Sequence, residues 1–365
     1  MAVNISYKCP TCGAEIFWNA EKNCWACEYC GDSFTLEQLE AQGAAKAPEE
    51  INKDNVEKHE EVDTDEYKSS TDGTVGSDLV KYTCSHCGAE IITDRSTAAT
   101  ICVYCGNAVI MGEQIIDDFS PDYVIPFKVP KKDVMEAFRK FSKKPLTPKD
   151  FKCDQIVDKM QGVYIPFWLY SGVCSGSINA EGVNVRTWTS GNYRHTEKKY
   201  YSVFRDGILE FERVPVDASS KTENDAMDSI EPFDYSELTK FNPGYLSGYL
   251  AERYDENSDK CLLRAQERIE NTTRDELKKT CDYDTLNIHN YTKETNIKDV
   301  KYAMLPTWLL YTTYKEKPYF FAMNGQTGKF IGNLPIDKVK LAIYSLLGCG
   351  GGFLIGALAR AAGLF

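Results

Sequence analysis

Eight cysteines near the N-terminus have the spacing of metal ligands. They form four C-x2-C pairs, and in each set of two pairs 14 residues separate the inner cysteines. Each cysteine of the second set follows its counterpart in the first by 75 positions, so the sets are copies of one motif. The candidate ligands are Cys9, Cys12, Cys27 and Cys30 in the first set, and Cys84, Cys87, Cys102 and Cys105 in the second.

Two C-x2-C pairs suit four thiolates around a tetrahedral zinc ion. A glycine follows the second cysteine of each pair and allows the positive φ that a tight metal-binding turn needs. A four-cysteine site has no open coordination position, so the motif predicts two structural zinc ions rather than catalytic ones. The four glycines are Gly13, Gly31, Gly88 and Gly106.

Cys24 as a ligand and disulfide pairing are alternatives to this assignment. Cys24 forms another C-x2-C with Cys27, but no glycine follows Cys27 and the second copy has Ala99 at the equivalent position. Cys24 is therefore predicted to be a spare thiol. Disulfides need an oxidising compartment, and the N-terminal MAVNISYKCP contains no apolar signal segment, so zinc is favoured.

Composition indicates a folded, acidic protein with a polar linker. The chain has 365 residues, of which 42% are hydrophobic, and a net charge of −12, which disfavours nonspecific binding to nucleic acid. Residues 42–78 contain 11 acids and 4 bases and almost no large apolar side chains, which is typical of a flexible linker. The cysteines outside the two motifs have no framework spacing and suit free thiols in a reducing cytoplasm.

The C-terminal segment predicts a transmembrane helix. Residues 341–359 are 19 residues without a charge, and as a helix they would span about 28 Å. The expected topology is a tail anchor that leaves the rest of the chain in the cytoplasm; a glycine-rich buried core helix is the alternative. Gly348, Gly352 and Gly356 lie four apart, a spacing that lets membrane helices self-associate or simply pack closely.

Between the two cysteine motifs, which are predicted to form zinc ribbons, and the apolar C-terminal segment, the pattern predicts an α+β body with antiparallel β strands and inserted helices. YIPFWL at 164–169 resembles MLPTWL at 304–309, which indicates two related β units at an offset of 140. Amphipathic helices are predicted over 131–143 and 259–281. Trp168, Trp188 and Trp308 are expected in the core, and a ligand-binding aromatic pocket is the alternative. The predicted domains are ribbons at 1–41 and 80–114, a linker at 42–79, the body at 117–337 and the transmembrane helix at 341–359.

Catalytic motifs are absent from the sequence. There is no phosphate-binding GxxxxGKS or GxGxxG, no HExxH and no GxSxG, so a non-enzymatic protein is expected. A basic run from Lys128 to Lys152 contains 9 bases and 3 acids. A solvated helix face is its usual meaning, and contact with anionic lipid headgroups or with nucleic acid are the alternatives.

Several of these features together resemble one bacterial family. They are the CGAE and YCG segments of both ribbons, the IPFW and LPTW strands, the NGQTGK turn and the apolar C-terminal segment. The family is usually labelled transcription factor IIB-type zinc-ribbon proteins, and sometimes primosomal replication helicases. Its members are often encoded near SPFH (flotillin-like) and phage-shock-protein-A-like proteins.

The resemblance implies a membrane-anchored adaptor that binds zinc and recruits a protein partner, with an SPFH-like protein suspected, during envelope stress. It implies no catalytic residue. The alternative function is a nucleic-acid-binding zinc-ribbon protein linked to replication or transcription. The absence of a nucleotide-binding motif gives the helicase label no support.

Overall fold

The computed structural model describes residues 4–5, 7–41, 79–83, 90–94, 96–102, 108–111, 120–151 and 156–347. Most of its strands join one large mixed sheet. The strands, in chain order, are β1 Asn4–Ile5, β2 Phe17–Asn19, β3 Cys24–Ala26, β4 Ser33–Phe34, β5 Leu79–Thr83, β6 Glu90–Asp94, β7 Thr97–Ile101, β8 Ala108–Met111, β9 Tyr123–Val124, β10 Gln161–Ser190, β11 Tyr193–Asp217, β12 Thr239–Lys240, β13 Leu250–Glu252, β14 Thr285–Tyr314, β15 Lys317–Asn324 and β16 Phe330–Gly332.

The described helices are fewer than the described strands and lie mostly in the body. Two short 3₁₀ turns, Tyr235–Glu237 and Pro243–Leu246, occur between the third and fourth helices. The four α-helices with described ends are α1 Leu36–Ala41, α2 Lys131–Ser142, α3 Asn224–Ile230 and α4 Ser258–Lys279.

Among the described residues, the large sheet has 11 strands, in the order β1-β8-β7-β13-β10-β14-β15-β16, with β11 beside β10 and with β9 and β12 at the side of β14. Its centre is the antiparallel pair of β10 and β14, each 30 residues long. Strands β2, β3 and β4 of the first ribbon form a separate three-stranded sheet, and β5 pairs with β6. Strands from both ends of the chain therefore meet in one sheet.

Two segments of similar sequence occupy equivalent places in the body, and each is called, with the elements beside it, a unit below. The YIPFWL and MLPTWL segments lie opposite each other in the β10–β14 pair, where Ile165 is the partner of Leu305. Each long strand also has a short parallel neighbour that comes from the other unit. The partners are Val163 with Leu250 and Ala303 with Tyr123.

The correspondence of the two units extends to single hydrogen bonds. The Trp168 indole N–H donates to the Glu256 carbonyl at 2.9 Å, and Trp308 donates to the Val129 carbonyl at 3.0 Å. Both carbonyls lie two residues before the first residue of a helix, α4 and α2 respectively. A second matched pair of bonds runs from the Ala218 N–H to the Pro166 carbonyl (2.9 Å) and from the Gly325 N–H to the Pro306 carbonyl (2.8 Å).

Helix α4 covers one face of the long strands. Asn257 caps its first turn by accepting from the Lys260 N–H at 2.9 Å. Every fourth residue is buried against the sheet, which gives the amphipathic pattern predicted over 259–281. At Gly176 a side chain would meet the Thr273 methyl group, so glycine lets the helix approach β10. The buried residues are Cys261, Ala265, Ile269, Thr273 and Leu277.

The transmembrane helix predicted over 341–359 is wrong. In the described part of the chain, no helix has both the length and the apolar character needed to cross a membrane. The predicted tail-anchored membrane localisation is therefore wrong too, as is the C-terminal transmembrane helix in the predicted fold class. Residues 338–347 are helical, and Lys340 Nζ donates to the Thr147 carbonyl of the body at 2.6 Å. Residues 348–359, with the glycine stripe, lie outside the described residues.

Candidate metal centre

The four cysteines of the first ribbon converge on one point. All four Sγ atoms lie within 4.8 Å of one another. The Sγ atoms of Cys9 and Cys30 are 3.5 Å apart, and those of Cys12 and Cys27 are 3.6 Å apart. Zinc–sulfur bonds of about 2.3 Å in a tetrahedron place the sulfurs about 3.8 Å apart, so the cluster has the size of such a site. It is positioned to hold a metal ion.

Two turns of the same construction present these thiols. Gly13, with φ of +75°, donates its N–H to the Cys9 carbonyl at 2.8 Å. Gly31, with φ of +80°, donates to the Cys27 carbonyl at 2.9 Å. A β-carbon would strain both positions, which is the role predicted for these glycines. Gly88 and Gly106 lie outside the described residues.

Backbone hydrogen bonds close each turn on its far side. The Cys9 N–H donates to the Ala14 carbonyl at 2.6 Å, and the Cys27 N–H donates to the Asp32 carbonyl at 2.8 Å. The hairpin of β2 and β3 joins the two turns and fixes their separation. Cys9 and Cys27 are buried, whereas Cys12 and Cys30 face solvent.

The thiols have uneven proton affinities. The backbone N–H of Cys30 is the main influence on Cys27 and lowers the pKa of that thiol to about 7. The Asp32 N–H lowers the pKa of Cys30, but desolvation and the neighbouring Cys27 sulfur raise it to about 12. Four adjacent thiolates repel one another, and a bound cation would remove that repulsion.

The first ribbon is fixed to the body by aromatic side chains. The Trp18 indole donates to the Phe127 carbonyl at 2.9 Å, and the Trp25 indole donates to the Gly244 carbonyl at 3.1 Å. Both rings pack edge-on or tilted against Tyr245, with ring centroids 5.0 and 4.8 Å away. The ribbon and the body share one hydrophobic core, so the metal centre has a fixed place on the body.

Two further polar contacts reinforce this attachment. The Tyr7 hydroxyl donates to the Asn242 side-chain oxygen at 3.0 Å, and the Ser247 hydroxyl donates to the Ile16 carbonyl at 3.0 Å. Sequence reasoning missed these contacts. The available signal was the unusual pair of tryptophans on the short strands between the cysteine pairs, at Trp18 and Trp25.

The other described cysteines fall outside this cluster. Cys24 lies half-buried on β3 and is not among the converging sulfurs, which agrees with its assignment as a spare thiol. In the second set, Cys102 is described and buried. Cys84, Cys87 and Cys105 lie outside the described residues, so one four-cysteine cluster is found in the part of the chain that the structure covers.

The tryptophans of the body divide into two classes. Trp308 is buried and Trp168 is largely covered, as expected for core residues. The prediction was wrong for Trp188, which is 44% exposed near the end of the β10–β11 hairpin. Trp188 is exposed because β10 continues past helix α4, which covers one face of the strand.

Comparison with known proteins gives one informative similarity. No family model matches the chain, and no solved structure matches it. The chain is similar to the uncharacterized protein YdjG of Bacillus subtilis (strain 168), with 34% identity over 355 residues that cover 96% of each protein. The similarity therefore extends over nearly the whole length of both chains.

Proposed function

We propose that this chain, which belongs to the same protein family as Bacillus subtilis YdjG, is a non-enzymatic, zinc-binding adaptor that recruits a protein partner. The observation that carries the proposal is the four-cysteine cluster, with all sulfurs within 4.8 Å, on a ribbon packed into the core of the body. A closed four-thiolate site suits structural zinc.

The chemistry of the bound ion is limited to cross-linking. Cys9 and Cys12 on one turn and Cys27 and Cys30 on the other would hold the ion, whose binding free energy would stabilise the ribbon fold. The chain's own residues then position the ribbon, because Trp18 and Trp25 hold it on the body. The result is a stiff platform rather than a reaction centre.

A second zinc ion is part of the proposal. Its ligands would be Cys84, Cys87, Cys102 and Cys105, which repeat the first set residue for residue. Strands β7 and β8, which flank Cys102 and Cys105 in the sequence, pair with each other, and β7 also pairs with β13 of the body. A second ion would therefore stabilise a hairpin that is continuous with the large sheet.

The partner is proposed from the family resemblance. The ribbon and body features resemble proteins encoded near SPFH-like proteins, and an SPFH-like protein is therefore the first candidate. The proposed role is to bind that protein through a rigid surface that depends on zinc for its shape.

Co-elution tests the adaptor function. The full chain is co-expressed with an SPFH-like protein from the same genome and analysed by size-exclusion chromatography in zinc-containing buffer. We expect one co-eluting complex, which the Cys12→Ser/Cys30→Ser variant loses and the Cys24→Ser/Cys281→Ser control keeps. Separate elution of the wild-type chain and the SPFH-like protein would contradict the proposal. Circular dichroism establishes that the variant body remains folded.

A further inference from the structure

The hairpin of β10 and β11 extends beyond the rest of the sheet. Strand β14 begins at Thr285, opposite Val183, so in the described part of the chain residues 184–190 pair only with β11. Every residue from 185 to 196 is exposed. Residues 184–200 are named the hairpin tip below. A two-stranded ribbon with both faces in solvent buries little, so its surface is available for contact.

The hairpin tip is basic in an acidic protein. It contains four bases and one acid, Glu197, whereas the whole chain has a net charge of −12. The cationic side chains occur on both faces of the ribbon, because side chains alternate along a strand. Such a local field attracts an anionic partner and repels a cationic one. The bases are Arg186, Arg194, Lys198 and Lys199.

Exposed rings accompany these charges. Trp188 stacks on His195, with ring centroids 5.4 Å apart and an angle of 16° between the planes. The Arg186 guanidinium lies 5.8 Å from the Trp188 ring, and Tyr193 is 75% exposed. Tryptophan, tyrosine and arginine are the side chains most enriched at the energetic centres of protein interfaces.

The two edges of the hairpin tip differ. On the β10 edge, the Val185 N–H donates to the Asp284 carboxylate at 2.6 Å, so an acidic side chain of the chain itself already caps the first free backbone group. The β11 edge has no paired strand among the described residues, and its alternate N–H and carbonyl groups point outward. The β11 edge can therefore accept an added strand.

Charge selects between the possible strands. A second copy of this chain adding its own β11 would place Arg194, Lys198 and Lys199 against the same cations, which is destabilising. An extended segment rich in Glu or Asp would instead place carboxylates beside them. Nucleic acid would use the cations and rings but would gain nothing from the open backbone edge, so a peptide fits the surface better.

We propose that the hairpin tip is the docking surface for an extended, acidic segment of the partner protein, which adds as a strand to the β11 edge. The proposal rests on the adaptor function above and specifies the surface and the chemistry of the partner. The added strand would pair with β11 through backbone hydrogen bonds. The cations select carboxylates, and the Trp188–His195 stack and Tyr193 supply apolar contact.

The test uses the full-length, zinc-loaded protein and a fluorescein-labelled ten-residue peptide of alternating Glu and Val. Fluorescence anisotropy should show saturable binding, and Arg194→Glu/Lys198→Glu/Lys199→Glu should weaken it by about tenfold or more. The matched control, Lys143→Glu/Lys144→Glu/Lys149→Glu, changes the net charge equally at exposed positions in the basic run and should stay within about twofold of wild type. Equal losses in both variants would overturn the proposal.

Three comparison probes complete the test. A peptide with Gln in place of Glu, and a Glu-Val peptide N-methylated at alternate residues, should both bind at least about tenfold more weakly. Undiminished binding of the N-methylated peptide would contradict strand addition. Tighter binding of a ten-nucleotide oligo(dT) than of the acidic peptide would overturn the choice of a peptide. If the hairpin variant loses neither the peptide nor the co-eluting SPFH-like protein, the docking surface is wrong and the adaptor function stands.

Discussion

Glu237 connects two distant segments of the body. Its carboxylate forms an ion pair with Lys128 and accepts a hydrogen bond from the Gln326 amide. Lys128, followed by Gln326, lowers the pKa of Glu237. Because the folded-state pKa is below the ordinary glutamate value of about 4.3, the ionised carboxylate stabilises the folded state above that value. The contribution is lost as pH falls through the folded-state pKa.

We therefore expect Glu237→Gln to reduce the free energy of unfolding at pH 7, and the difference from wild type to shrink as pH falls below about 4. Urea denaturation at several pH values measures this. Proton uptake by the cysteines is common to both proteins and cancels in the difference. Replacement of the exposed Glu267 by Gln is the control and should show no such trend. A difference that is the same at pH 7 and pH 3 would count against the assignment.

At the scale of elements, equivalent substitutions in the two β units should lower the free energy of unfolding by similar amounts. Trp168 and Trp308 each donate an indole hydrogen bond to the carbonyl that precedes a helix, at nearly equal distances. Replacing either with Phe leaves that carbonyl without its donor and should cost about 1 kcal/mol of unfolding free energy. Trp188→Phe, at an exposed site, should change stability by less than about 0.5 kcal/mol.

Chemical denaturation followed by circular dichroism checks this prediction. Similar losses in the Trp168→Phe and Trp308→Phe variants would support equivalent structural roles for the two units. If one variant is as stable as wild type while the other is strongly destabilised, the units are alike in backbone only.

The elements differ in how far sequence could predict them. The helices over Lys131–Ser142 and Ser258–Lys279 follow from apolar residues repeating every three or four positions. The pairing of each long strand with a short strand of the other unit could not be predicted. Strands β9 and β13 have two and three residues, too few to show a hydrophobic period. Their places depend on long-range pairing with β14 and β10, which is absent from any local pattern.

The sequence predicted which cysteines form the candidate metal centre, but not which residues of the body pack around it. Spacing and glycine positions were sufficient to select Cys9, Cys12, Cys27 and Cys30 over Cys24. Nothing in the spacing indicated that the ribbon would pack against residues more than 200 positions away, as Trp25 does at Gly244. Partner choice across such separations is decided by tertiary packing and not by local sequence.

For the whole molecule, the described ribbon and body act as one unit. Strand β1 from the N-terminus pairs with β8, β7 pairs with β13, and the first ribbon lies in the same core as Phe127 and Tyr245. The uncharged C-terminal run predicted a membrane helix, whereas the described helix of residues 338–347 begins against the body, where Lys340 contacts Thr147. Loss of metal from the ribbon should therefore lower the free energy of unfolding of the body as well.

Zinc content per polypeptide tests the central claim most directly. Inductively coupled plasma mass spectrometry on the purified full chain should find two zinc ions. Cys12→Ser/Cys30→Ser should reduce the content to one, and the Cys24→Ser/Cys281→Ser control should retain two. A wild-type chain without stoichiometric zinc, or an unchanged content in the Cys12→Ser/Cys30→Ser variant, would contradict the assignment of Cys9, Cys12, Cys27 and Cys30 as a zinc site.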